Sequence, residues 1–265
     1  MLRFMLTVAV LLGSLSAAQA QLAIQNIQAC YGPLGPERPN LQYHHLDHVS
    51  FRFSVTGARV DEEGIAKVRI ITKMTAANDV SVGNSERTCA ALLQFGPSFT
   101  EAVCFTLPQQ LLPGEYTLTV AVQDDRCKED VISFQRKLIM LQDEFAICSP
   151  EFYYDGEGRV EAAFGGTVGQ KLHFQFNVIG IDCSTSETQL ETRFEVFDAK
   201  TRQPLSKPVV KLDKTSSPVP AQPSVRLSSM IPLDRAGDFI LRVIATDRIA
   251  NKSANVEVPI HVSAP

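Results

Sequence analysis

Two stretches of the chain are repeated at one fixed spacing. The run Val49-Ser-Phe-Arg-Phe-Ser-Val-Thr-Gly57 recurs as Leu172-His-Phe-Gln-Phe-Asn-Val-Ile-Gly180, an offset of 123 residues from position 49 to position 172. The run from Gly114 to Asp124 recurs from Gly237 to Asp247 at the same offset of 123 residues. Two separated matches with a single offset indicate that a whole domain has been duplicated.

Apolar and polar residues alternate along both repeated runs. This period of two is typical of a β-strand with one buried and one solvated face. The side chains predicted to face inward are Val49, Phe51, Phe53, Val55, Tyr116, Leu118, Val120 and Val122, and in the second copy Leu172, Phe174, Phe176, Val178, Phe239, Leu241, Val243 and Ala245. We therefore predict an all-β fold of two tandem immunoglobulin-like or fibronectin-like β-sandwiches, at residues 21–141 and 142–265.

The first twenty residues have the layout of a secretory signal peptide. Arg3 precedes an apolar run from Phe4 to Leu12, and Ala18-Gln19-Ala20 fits a cleavage site. The apolar run is shorter than the roughly 20 residues that a membrane span needs, so no span is predicted in the mature chain. We predict export to the periplasm, the cell surface or the medium of a bacterium. The net charge of −4 and the lack of a basic stripe argue against nucleic acid as a partner.

Six cysteines in an exported chain predict disulfide bonds. Cys89 and Cys104 flank Gly96-Pro97 symmetrically, which favours a bond across a hairpin. By elimination Cys30 would pair with Cys127, and Cys148 with Cys183, although other connectivities stay open. The close C-x-x-C spacing typical of zinc sites is absent.

Two short segments carry candidate metal ligands. His44, His45 and His48 cluster with a carboxylate and could bind a transition metal, but the favoured interpretation is a solvated turn before a strand. Asp61, Glu62 and Glu63 could offer oxygen ligands to calcium, as acidic loops do. A hairpin turn closed by Gly64 is the favoured alternative for that loop.

An aspartate follows the most regular strand of each repeat. Asp124 and Asp247 stand at equivalent positions, and aspartate at such a place commonly accepts hydrogen bonds from the backbone of its own turn. Calcium held between the domains is the alternative. No cofactor is predicted from any motif in the chain.

The stretches Phe51–Gly57, Pro113–Val120 and Thr246–Ala254 carry a resemblance. They are similar to a family of secreted bacterial proteins with tandem immunoglobulin-like sandwiches and no assigned activity. The resemblance implies a fold and export, and it supplies no functional residues.

The function predicted from the sequence is a non-enzymatic envelope or extracellular protein that binds another protein. The motifs G-x-S-x-G, H-E-x-x-H and G-x-x-x-x-G-K are all absent. One alternative is a carbohydrate-binding module, which zero Trp and five Tyr disfavour. A pilus-type periplasmic chaperone and a hydrolase of unrecognised type are the others.

Overall fold

A computed structural model describes residues 21–93, 96–142, 144–182, 187–216 and 224–265. Every helix or strand assigned within these ranges is a β-strand, which confirms the all-β prediction. The strands of the first half are β1 Ala23–Cys30, β2 Gln42–Tyr43, β3 His48–Thr56, β4 Ile65–Ala76, β5 Ser81–Leu92, β6 Ser98–Thr106, β7 Gly114–Asp124 and β8 Cys127–Met140. Those of the second half are β9 Ala146–Tyr153, β10 Gly165–Thr167, β11 Lys171–Ile179, β12 Glu187–Asp198, β13 Val209–Ser216, β14 Ser224–Pro232, β15 Gly237–Asp247 and β16 Lys252–Ser263.

The sixteen strands form four sheets, two in each half of the chain. The first half pairs a three-stranded sheet of order β1-β3-β6 with a five-stranded sheet of order β2-β8-β7-β4-β5. The second half repeats both orders, as β9-β11-β14 and β10-β16-β15-β12-β13. The short strands β2 and β10 pair in parallel with β8 and β16, and the other pairs are antiparallel. The second sandwich therefore has the topology of the first.

Each sandwich is closed around its own apolar core. All sixteen side chains predicted to face inward are buried, and most of them are fully buried. In the first sandwich Phe51 and Phe53 of one sheet pack against Phe134 of the other. In the second, Phe152, Phe174 and Phe176 form a line of ring contacts. Because burying one such side chain stabilises a fold by about 1.5–3 kcal/mol, these rows are the main source of stability.

A short segment connects the two sandwiches, since β8 ends at Met140 and β9 begins at Ala146. The boundary between residues 141 and 142 stays a prediction. The described part of the chain contains no helix of a length and apolarity suited to crossing a membrane. The predicted signal peptide, residues 1–20, and Cys183 lie outside the described residues.

Candidate functional site

The histidine segment, residues 44–48, lies where the two sandwiches meet. Ser149 of β9 donates its backbone N–H to Asp47 Oδ1 at 2.9 Å and its hydroxyl to the carbonyl of Leu46 at 2.6 Å. The thiol of Cys148 points at the carbonyl of His45, with 3.8 Å from sulfur to oxygen. We call this set of contacts, between residues 44–48 and 146–151, the domain joint.

A buried ion pair stands at the centre of the domain joint. Arg38 donates to Asp47 Oδ2 at 2.8 Å, with side-chain exposures of 11% and 4%. The guanidinium also lies 4.1 Å from the ring centroid of Tyr43, an arrangement that favours cation–π attraction. The carboxylate of Asp47 therefore binds the Arg38 guanidinium of its own sandwich and the Ser149 backbone N–H of the other sandwich.

Two residues of the joint have left-handed backbone. Leu46 has φ of 62° and Ser149 has φ of 49°, conformations that side-chain-bearing residues rarely adopt. Such strain persists only where the surroundings fix it, and the two residues are bonded directly to each other. The two sandwiches are thus packed onto one another at this point.

His48 continues the joint toward a small cavity. Its Nε2 lies 2.7 Å from Glu151 Oε1, and its Nδ1 lies 3.3 Å from the Thr106 hydroxyl oxygen. Glu151 accepts two more bonds on Oε2, from the Tyr153 hydroxyl at 2.8 Å and from Arg226 at 2.6 Å. We call the cavity of about 90 Å³ that His48, Cys104 and Glu151 help to line the joint cavity.

The two ionisable partners of this contact have shifted pKa values. Hydrogen bonds to Cys104 and to Glu151 outweigh burial and raise the pKa of His48 to about 10. Burial alone would raise the pKa of Glu151, but hydrogen bonds from His48 and Tyr153 outweigh it and lower that pKa. The contact is therefore an imidazolium–carboxylate pair at neutral pH.

This pair gives the stability of the protein a defined pH dependence. A pKa that is raised on folding adds stability below the unfolded value of about 6.5, and the addition is lost as the pH rises through the folded value. At pH 6 the parent chain is expected to have a larger free energy of unfolding than the His48→Gln variant. This difference should shrink as the pH rises from 6.5 to about 10. Urea unfolding of both proteins at pH 6, 8 and 10 measures it, and a difference that does not shrink with pH would contradict the assignment.

The structure corrects the interpretation of the histidine segment as solvated. Residues 44–47 do form a turn, in which the Asp47 N–H donates to the carbonyl of His44 at 3.2 Å. His45 and Asp47 are buried, however, because the second sandwich covers them. Burial lowers the pKa of His44. No group of three or more His, Cys, Asp or Glu residues within the described ranges has a geometry suited to a metal ion.

The acidic loop has the structure of the predicted hairpin turn. Asp61 Oδ1 accepts the N–H groups of Glu63 at 3.1 Å and of Ile65 at 2.8 Å. Gly64, with φ of 77°, donates its own N–H to the carbonyl of Asp61. The side chains of Glu62 and Glu63 extend into solvent. The turn itself therefore accounts for Asp61.

Asp124 and Asp247 also have the predicted structural role. Asp124 accepts the N–H groups of Arg126 at 2.8 Å and of Arg59 at 2.7 Å. Asp247 accepts that of Ile249 at 2.9 Å and, from the loop after β11, that of Asp182 at 2.9 Å. Each buried carboxylate ties its own turn to a distant loop at equivalent places in the two sandwiches.

The predicted hairpin between Cys89 and Cys104 is wrong. Cys89 lies on β5, which pairs with β4, whereas Cys104 lies on β6, which pairs with β3 in the other sheet. The chain crosses between sheets at this point, so the two cysteines do not face each other across a ladder. Five cysteines are free thiols in the described structure: Cys30, Cys89, Cys104, Cys127 and Cys148.

A second candidate surface is the free edge of the five-stranded sheet in the second sandwich. β13 is the last strand of that sheet, and Val209, Val210 and Leu212 on it are 54%, 54% and 50% exposed. Beside it a cavity of about 270 Å³ opens between β13 and β14, lined chiefly by apolar side chains such as Phe194 and Ile231. Sequence reasoning did not identify this surface, although the run Val209-Val-Lys-Leu212 on a terminal strand was a usable signal.

The fold and the surfaces place the protein in a class with two tandem β-sandwiches, a packed domain joint and a sheet edge that exposes aliphatic side chains. No protein-family model and no curated protein matches the chain. Among solved structures it is similar to the C-terminal domain of the antigen I/II polypeptide BspA of Streptococcus agalactiae, at 11% identity and a TM-score of 0.32, covering 90% of this chain and 100% of that one.

Two further likenesses are of the same order. The C-terminal domain of the antigen I/II-family protein AspA of Streptococcus pyogenes matches at 11% identity and a TM-score of 0.29, covering 92% of this chain and 99% of that one. Red sea bream transglutaminase matches at 11% identity and a TM-score of 0.27, over 92% of this chain and 31% of that one. Similarity at this level does not define a family.

Proposed function

We propose that the chain is an exported, non-enzymatic protein that binds an extended segment of another envelope or extracellular protein on the edge strand β13. One observation carries the proposal: at two matched places on this edge, the exposed side chains are polar in the first sandwich and aliphatic in the second. Sheet edges present unpaired backbone groups, to which a further strand can bond. Charged side chains are one means by which natural proteins protect such edges, and β13 keeps Lys211 and Asp213 beside its aliphatic residues.

The duplication allows the two edges to be compared position by position. Val68 of β4 pairs with Asp124, and Leu190 of β12 pairs with Asp247, which aligns the two sheets. On that alignment Val210 and Leu212 of β13 occupy the places of Glu86 and Thr88 on β5. The residues opposite them on the neighbouring strands show this match. Arg193 lies opposite Val210, as Ile71 lies opposite Glu86. Glu191 lies opposite Leu212, as Arg69 lies opposite Thr88.

Physical chemistry explains what this difference does. Glu86 lies 3.2 Å from Arg69, so a charged pair lies against the edge of the first sandwich. On β13 two exposed aliphatic side chains stand at those places, and each would be stabilised by removal from water. An incoming strand would gain backbone hydrogen bonds from the edge and apolar contact from Val210 and Leu212.

The neighbouring cavity adds a place for a side chain of the partner. It is bounded by Val209 on β13 and by Met230 on β14, the latter 46% exposed. Lys207, Asp234 and Arg235 also line it, and Asp234 already lies 3.5 Å from Arg235. A partner segment with an apolar side chain fits this cavity best.

The test transfers the residues of one edge to the other. In Val210→Glu/Leu212→Thr the second edge takes the residues of the first, and Glu86→Gln is the matched control on the unchanged edge. Immobilised parent and control proteins are expected to retain one envelope protein in stoichiometric amount, and the double variant to lose at least about tenfold in affinity, or 1.4 kcal/mol.

Hydrogen exchange of the complex then locates the contact. Slowed exchange of β13 amides supports strand addition, whereas equal retention of the partner by the double variant contradicts it. Sedimentation of the chain alone tests whether it binds a second copy of itself. Self-association through β13 would contradict the proposal of a distinct partner.

A further inference from the structure

Cys104 is the one exposed thiol among the cysteines that the structure describes. Cys30, Cys89 and Cys148 are buried, and Cys127 is half-buried. On β6, Cys104 lies opposite Ser50 of β3, and Thr106 lies opposite His48. Cys104 and His48 are therefore diagonal neighbours on one face of the sheet, which is within reach of their side chains. Both line the joint cavity, together with Glu151 of the second sandwich.

The three side chains form an ordered series. On the same face of the sheet as Cys104, the imidazole of His48 has its Nε2 2.7 Å from Glu151 Oε1 and its Nδ1 3.3 Å from Thr106 Oγ1. Tyr153 and Arg226 hold the other carboxylate oxygen, so the orientation of Glu151 is fixed. Thiol, imidazole and orienting carboxylate in this order are the arrangement that activates a cysteine nucleophile.

The charge of this series favours a reactive sulfur. A positive imidazolium beside a cysteine stabilises the thiolate, which is the reacting form. The raised pKa of His48 supports that charge at neutral pH. Burial and hydrogen bonds to Glu129 and Asp130 raise the pKa of Cys127, and burial raises the pKa of Cys30 and of Cys89.

We propose that Cys104 is a modification site that exchanges with small disulfides, with His48 and Glu151 as the groups that activate it. The joint cavity of about 90 Å³ admits a small group only. Unlike acyl transfer, this reaction needs no set of donors for an oxyanion. The proposal is independent of the β13 edge, because the joint cavity and β13 share no residue.

The reaction is balanced without a further oxidant. The thiolate sulfur of Cys104 attacks one sulfur of the disulfide, a new sulfur–sulfur bond forms, and the original one breaks. The other sulfur leaves as a thiolate and takes a proton from His48, which regains one from water. The sulfur of Cys104 is oxidised while the departing sulfur is reduced.

The experiment measures thiol exchange with 4,4′-dithiodipyridine, an uncharged disulfide with a coloured product, on the whole mature chain at pH 6.5. One thiol per chain is expected to react in a fast phase, and Cys104→Ser is expected to abolish that phase. His48→Gln and Glu151→Gln are expected to slow it roughly tenfold or more, because the sulfur then reacts without an oriented, positively charged imidazole beside it. Cys127→Ser is the matched control and should leave the fast phase intact.

Several results would overturn the proposal. A fast phase that survives Cys104→Ser would assign it to another thiol. A rate in His48→Gln equal to that of the parent would show that the imidazole does not activate the sulfur. Far-ultraviolet dichroism checks that each variant is folded, and Glu151→Gln provides a second route if His48→Gln is not. Peptide mass mapping of the labelled parent must place the added group on Cys104.

Discussion

An Asp47→Ala variant is expected to unfold at a free energy about 3–5 kcal/mol below that of the parent chain, because it leaves Arg38 as a buried charge without its partner. The guanidinium is 11% exposed, and so water cannot take the place of the carboxylate. The same substitution removes the acceptor of the Ser149 N–H in the second sandwich. Urea unfolding followed by dichroism measures the loss.

Asp234→Ala is the control for that measurement. Asp234 also faces an arginine, Arg235, at 3.5 Å, but its side chain is 75% exposed. Exposed pairs contribute little, so its unfolding free energy should stay within about 0.5 kcal/mol of the parent. If Asp47→Ala fell in the same range, the ion pair would not hold the domain joint. Faster exchange of the Ser149 amide in Asp47→Ala would locate the effect at the joint.

An Asp247→Ala variant is expected to lose roughly 3 kcal/mol, because three backbone N–H groups then lose a charged acceptor. Those donors belong to Asp182, Ile249 and Ala250, at 2.9, 2.9 and 3.1 Å. The carboxylate is 2% exposed, so its donors are shielded from solvent. Thermal or urea unfolding measures the change.

The duplication supplies two controls for Asp247→Ala. Asp124→Ala should cost somewhat less, about 2 kcal/mol, since Asp124 accepts two backbone N–H groups at the equivalent place in the first sandwich. Asp125→Ala, at an exposed position next to it, should change the unfolding free energy by less than about 0.5 kcal/mol. Equal effects of Asp124→Ala and Asp125→Ala would mean that the buried carboxylate has no special structural role.

The fold was predictable because its signals are local. Alternation along a single strand determines which side chains enter a core, and every residue so predicted in the four repeated strands is buried. The same holds for Asp61 and for the bond that Asp124 accepts within its own turn, since these bonds run to residues close by in sequence. A constant offset between the repeats then extended the prediction from one domain to two.

The domain joint could not be predicted because its partners are far apart in sequence. Asp47 and Ser149 are 102 residues apart, and nothing near either of them indicates the other. The hairpin predicted between Cys89 and Cys104 was wrong for a related reason, since spacing does not distinguish a hairpin from a crossing between sheets. The match between β13 and β5 could be made only from the structure. The two copies are offset by 123 residues from Asp124 to Asp247, but by one residue fewer from Val68 to Leu190, the residues that pair with them.

The left-handed pair at Leu46 and Ser149 has a consequence for how such a chain can evolve. The two residues belong to different sandwiches, and the hydroxyl of Ser149 donates to the carbonyl of Leu46. Recombination that exchanged one half for a foreign sandwich would leave these two residues relaxed and a charged pair uncovered. We therefore expect the two sandwiches to be exchanged together and not singly.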